Sequence, residues 1–152
     1  MRTALAVLGI LAVVSQAAPA MATTAGAVCT ISDANLRLET SSAVGSSMGG
    51  PWHLSGLNGR MEVLARGAPL ALRTVTLQHE ELAHHWHYGR DLKLHIALVR
   101  PGAKAQAEAE LMIETRSPNA GGTDYSGSYV LIVREEAAST FRGRVRCRVL
   151  AD

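Results

Sequence analysis

The sequence predicts an all-β, antiparallel protein. Three observations predict it: apolar and polar residues alternate in a two-residue period, turn residues punctuate the alternating runs, and the only two cysteines sit near opposite ends. Alternation places successive side chains on opposite sides of a pleated layer, so one side faces a core and the other faces solvent.

Taken in order, "AVCTI" puts Ala27, Cys29 and Ile31 on one side. "SSAVGSSMGG" at 41–50 has only small side chains and suggests a Ser/Gly loop. "LNGR" at 57–60 predicts a two-residue hairpin, since Asn-Gly readily supplies positive φ angles; it would join a strand near Trp52–Leu57 to one near Arg60–Ala65. "DLKLHIALV" gathers Leu92, Leu94, Ile96 and Leu98 opposite Asp91, Lys93 and His95. "AEAELMIET" sets Ala109, Leu111 and Ile113 against Glu108, Glu110 and Glu114. "SYVLIVR" is apolar on both sides, as a central strand would be. "FRGRVRCRV" turns Phe141, Val145, Cys147 and Val149 inward and Arg142, Arg144, Arg146 and Arg148 outward. Seven or eight such strands suggest an antiparallel β-sandwich of immunoglobulin-like type, or alternatively a small closed barrel in which the terminal strands pair.

Residues 1–22, "MRTALAVLGILAVVSQAAPAMA", predict an export signal: Arg2 gives a positive start, Ala4–Val14 an apolar run, and "APAMA" small-residue cleavage points after Ala20 or Ala22. The run is shorter than the roughly 20 apolar residues that span a bilayer. Residues 23–152 then form a single domain of ordinary size. In an exported protein, Cys29 and Cys147 are expected to form a disulfide. The chain carries 15 basic and 13 acidic residues, and the leader removes only Arg2. So small an imbalance gives no reason to expect nucleic acid. No later segment predicts a transmembrane helix. A soluble periplasmic or secreted product is expected, with a protein or envelope component as its partner.

Five of the six histidines fall in "HEELAHHWHYGRDLKLH", residues 79–95. One short helix or loop is expected at about 79–89, and Gly89 would suit the C-terminus of a helix. On that helix Glu80, His84 and His87 lie at i, i+4 and i+7, within about 60° of one another. Two imidazoles and a carboxylate so placed could hold zinc or copper, with His79 or His85 assisting. If the segment is extended, His85 and His87 share a face instead. The spacing does not match the zinc-peptidase helix motif, so that chemistry is not predicted.

Arg142, Arg144, Arg146 and Arg148 form the second candidate, a ladder suited to a polyanion such as acidic polysaccharide or lipopolysaccharide. The competing expectation is pairing with Glu108, Glu110 and Glu114 on a neighbouring strand, with Glu135 and Glu136 as further candidates. Ser47 and Ser126 lack a context that would activate a hydroxyl, and no catalytic residue is assigned. The sequence therefore predicts an exported, non-catalytic binding module with no cofactor. A periplasmic zinc- or copper-binding protein is the alternative, and a hydrolase with a dispersed active site the second.

Overall fold

A computed structural model describes residues 25–45, 53–102 and 106–150. The export segment predicted at 1–22 lies outside these residues, as do Ser47 and Trp52. The strands are β1 (Ala25–Ser32), β2 (Leu36–Gly45), β3 (His53–Val63), β4 (Val75–Leu77), β5 (Leu82–Tyr88), β6 (Asp91–Pro101), β7 (Gln106–Arg116), β8 (Asp124–Arg134) and β9 (Ala138–Leu150).

The all-β antiparallel class is as predicted, but two facing sheets are not formed. The strands make one sheet in the order β4-β3-β2-β1-β9-β8-β7-β6-β5. Each strand beside its successor satisfies its backbone groups locally, and the single long-range pairing, β1 with β9, joins the two halves. The sheet curls until His85 of β5 reaches Leu54 of β3, yet no backbone ladder joins β5 to β3 or β4 among the described residues. The result is an unclosed barrel with a seam between its edge strands.

The alternation predicted for β6, β7 and β9 is observed. Leu92, Leu94, Ile96 and Leu98, then Ala109, Leu111 and Ile113, then Val145, Cys147 and Val149 all enter one hydrophobic core, and Phe141 packs against it. Their polar partners point outward. Strand β8 lies between β7 and β9, as its two-sided apolar character implies.

Cys29 and Cys147 are bonded, with Cα atoms 4.0 Å apart. They are register partners on adjacent strands, so the bridge ties β1 to β9 within the sheet instead of crossing between two layers.

Two glycine-based expectations are overturned by the same fact: glycine serves more than one backbone need. The hairpin predicted at Asn58-Gly59 is absent, because β3 runs straight through it. Gly59 instead lies against Glu39 and Thr40 of β2, where a Cβ would collide with the Glu39 carbonyl. The irregularity falls earlier, where Ser41 pairs with Asn58 but Ala43 pairs with Ser55. Ser42 thus faces the extra pair Gly56–Leu57, and Gly56 takes φ +61° as such bulges require. The loop predicted at 41–50 is strand through Gly45, with Ser42 and Val44 buried; residues 46–50 lie outside the described part.

The helix predicted near 79–89 is also absent. A single 3-10 turn covers His79–Glu81, and β5 follows at once. That turn carries the chain from one edge of the sheet to the other. It is fixed by the Gln78 N–H donating to Glu81 (2.7 Å) and by an Arg100–Glu81 ion pair of 2.7 Å. Gly89, at φ +61°, opens the two-residue turn between Tyr88 and its partner Asp91. A positive φ at the first turn position is what the tight hairpin turns demand.

Candidate functional site

The functional candidates lie on the two sides of this sheet and are built from cross-strand rows. On the outer side, register places His84, His95, Met112, Val130 and Arg142 in one row, one from each of β5 to β9. The next row is Trp86, Lys93, Glu114, Ser128 and Arg144, and the third is Tyr88, Asp91, Arg116, Ser126 and Arg146.

The predicted pairing of the arginine ladder with the glutamates of β7 does not form, because β8 stands between them. Glu110 and Glu108 take Arg134 of β8, at 2.9 and 3.8 Å, and Glu114 takes Lys93 at 3.2 Å. Arg116 makes a two-pronged pair with Asp91 at 2.7 and 3.1 Å. That pairing holds the Arg116 guanidinium above, and the Asp91 carboxyl below, their ordinary ranges. Among the described residues, Arg148 alone of the ladder finds an acid, Asp124 at 2.8 Å. Arg142, Arg144 and Arg146 have no ion-pair or hydrogen-bond partner among the described residues.

Short side chains beside them leave space. Ser128 lies opposite Arg144, and Ser126 and Thr30 flank Arg146 on either side. Between Arg144 and Arg146 on one wall and the paired Lys93–Glu114 and Arg116–Asp91 on the other runs an open groove of about 790 Å³ floored by Ser126 and Ser128. Ser126 therefore stands beside Arg146 in this groove. A second groove of about 580 Å³ continues past Lys93 toward His84, Trp86, His95 and Met112. Trp86 is 52% and Tyr88 57% exposed, so this end presents aromatic surface.

The predicted metal set is not assembled. Extended backbone turns His84 outward and His87 inward, and Glu80 remains on the 3-10 turn. Among the described residues, no three of histidine, cysteine, aspartate and glutamate form a group able to hold a metal. The extended alternative describes β5: His85 and His87 share its inner side, but they meet different partners. His87 is buried, and its Nε2 lies 2.8 Å from the Tyr125 hydroxyl. Burial lowers the pKa of His87 and raises that of Tyr125. At the seam, the Leu54 N–H donates to His85 Nε2 at 3.3 Å, and His53 Nδ1 lies 3.3 Å from the same nitrogen. A ring nitrogen that accepts carries no proton, so His85 is neutral here. Burial lowers its pKa first, and the nearby His53, His79 and His84 lower it further.

These two histidines set an acid limit on stability. Unfolded, each titrates near the ordinary 6.5; folded, each titrates lower. Below about pH 6.5 the unfolded chain binds more protons, so stability falls as pH falls, by at most about 1.4 kcal/mol per pH unit for each histidine. Urea melts at pH 7.5 and 5.0 should show this loss, and His87→Gln should reduce the difference between the two. An equal loss in the variant would place the acid sensitivity elsewhere.

Sequence reasoning also missed Asp33. Its carboxylate accepts from the Asn35 and Leu36 N–H groups at 2.8 and 3.0 Å and from the Tyr129 hydroxyl at 2.7 Å. Burial alone would raise its pKa, but these three donors outweigh it and hold the carboxyl below the usual range. The cluster fastens the β1–β2 turn to β8, a structural role. The only signal was Asp33 in a turn segment, "SDAN", which names no distant partner.

Comparison of the chain with protein-family models, with curated proteins and with solved structures finds no match.

Proposed function

We propose that this protein is an exported, non-catalytic binding module that holds an anionic polymer of the cell envelope along Arg142, Arg144 and Arg146. One observation carries the reading. The acids and bases of the neighbouring strands neutralise each other pairwise, while these three guanidiniums stand on one strand without a carboxylate partner among the described residues. Alternate residues of a strand are about 6.6 to 7 Å apart, so the three would meet successive charges of an extended polyanion. Arginine suits this because its planar fork donates two hydrogen bonds to a carboxylate, sulfate or phosphate. The Ser126, Ser128 and Thr30 hydroxyls beside them could add neutral donors. Export is supported by the leader sequence and by the disulfide, which fits an oxidising compartment. No helix among the described residues is long and apolar enough to cross a membrane.

Heparin serves as the test polyanion. The wild-type protein should bind it with an affinity that falls steeply as salt rises, because exposed charges are screened. Arg144→Glu with Arg146→Glu should weaken binding at least tenfold and flatten the salt dependence. Equal binding by the wild type and this double variant would remove the strip from the proposed function.

A further inference from the structure

The row beside the arginine strip holds a different chemistry. His84 and His95 are register partners on β5 and β6, and His95 and Met112 are register partners on β6 and β7. Directly opposed side chains on one face start about 4.5 to 5.5 Å apart at Cβ. His95 is therefore flanked by an imidazole and a thioether on the same outer side. The His84 and His95 rings lie nearly parallel, 18° apart, with centroids separated by 6.5 Å. Two imidazoles sharing one ion at metal–nitrogen distances near 2.0 Å have centroids roughly 5 to 6 Å apart. The observed separation is slightly wider than that spacing.

A second observation points to a ligand. His95 Nε2 is buried and has no hydrogen-bond partner among the described residues. Buried polar atoms are nearly always satisfied, so this nitrogen is open to a bound water or ion. Met112 and Val130 continue the row on one side of His95, and Trp86 follows His84 along β5. The one carboxylate lining this groove among the described residues, Glu114, is occupied by Lys93.

We propose that His84, His95 and Met112 bind a single cuprous ion on this face, with the Trp86 ring beside it. Two neutral imidazoles and a thioether make a soft donor set without negative charge. Soft sulfur and imidazole donors favour Cu(I), whereas magnesium and calcium need oxygen ligands and zinc sites seldom use a thioether. A ring face within about 6 Å of a cation adds a further attraction, and Trp is the strongest such ring. The set differs from the helix-spaced Glu80, His84 and His87 because a strand brings together residues of neighbouring strands, not residues four apart in sequence.

The test is a competition between the oxidised protein and the coloured Cu(I)–bicinchoninate complex, without oxygen and with ascorbate present. The wild type should withdraw one equivalent of copper and change its tryptophan fluorescence as it does so. Met112→Leu, which preserves volume, and His84→Gln, at an exposed position, should each weaken Cu(I) binding at least tenfold without shifting the copper-free melting temperature. His95→Gln should also weaken it, but because His95 is partly buried the decision rests on the other two. Arg144→Glu with Arg146→Glu should leave copper binding unchanged, which separates this site from the polyanion strip. No withdrawal of copper by the wild type would overturn the proposal. So would undiminished binding by the Met112→Leu/His84→Gln double variant, or loss of binding in His53→Gln, which would move the ion to the seam.

Discussion

Replacing either Cys29 or Cys147 with serine should lower stability more than any other single change argued from this structure. The two residues are 118 positions apart in sequence, so the bridge closes a loop through nearly all the described strands. In the chain-entropy picture, cross-linking so long a loop removes about 4 to 5 kcal/mol of unfolded-state freedom. The reduced chain keeps the β1–β9 ladder but must find this pairing without a tether, and it is the only pairing of distant strands in the sheet. The two serine variants should lose stability to similar extents in urea melts, and reduction of the wild type should reproduce the loss. An unchanged midpoint in any of the three would show that the bridge contributes nothing to stability.

Gly127→Ala should have the next largest effect. Gly127 pairs with Thr115 on one side and Val145 on the other, in the middle of the sheet. A Cβ there would collide with the Glu114 carbonyl and stand 2.9 Å from the Thr115 Cα. Both obstacles are backbone, so no side chain can swing aside. The β7–β8 ladder would have to shift, a rearrangement costing at least about 2 kcal/mol. A urea midpoint within error of wild type would mean that the strands separate there without cost. Gly121→Ala, at a turn glycine with open space around it but φ +72°, gives a comparison in which backbone strain acts without collision.

The strands that the sequence revealed best are those in which at least three successive alternate positions on one face are apolar. In β6, β7 and β9 the two-residue period leaves one arrangement that buries the leucines, isoleucines and valines, and the structure adopts it. Strand β5 was hidden because its inner side carries His85 and His87, which do not read as core. They become acceptable inside only when distant groups, Leu54 N–H and the Tyr125 hydroxyl, receive them. Gly59 and Gly89 were misjudged for a related reason. Close approach to β2 and a tight hairpin turn need the same residue that a different turn or a helix end would use. The four arginines project from one side of β9, but their neighbours depend on strand order. Nothing local in "RGRVRCRV" shows that Ser126 and Ser128, and not glutamates, stand opposite Arg146 and Arg144. His95 and Met112 are seventeen positions apart and became adjacent only through the β6–β7 register.

The gap between β5 and β3 is held differently from the wall of a closed barrel. A complete barrel resists radial expansion because every widening breaks a ladder of backbone hydrogen bonds. Here the slit is fastened by the His85 imidazole against Leu54 and His53 and by the Glu81–Arg100 clasp at one end. Among the described residues no backbone ladder crosses this line, so widening it would break these side-chain bonds while leaving the eight strand pairings intact.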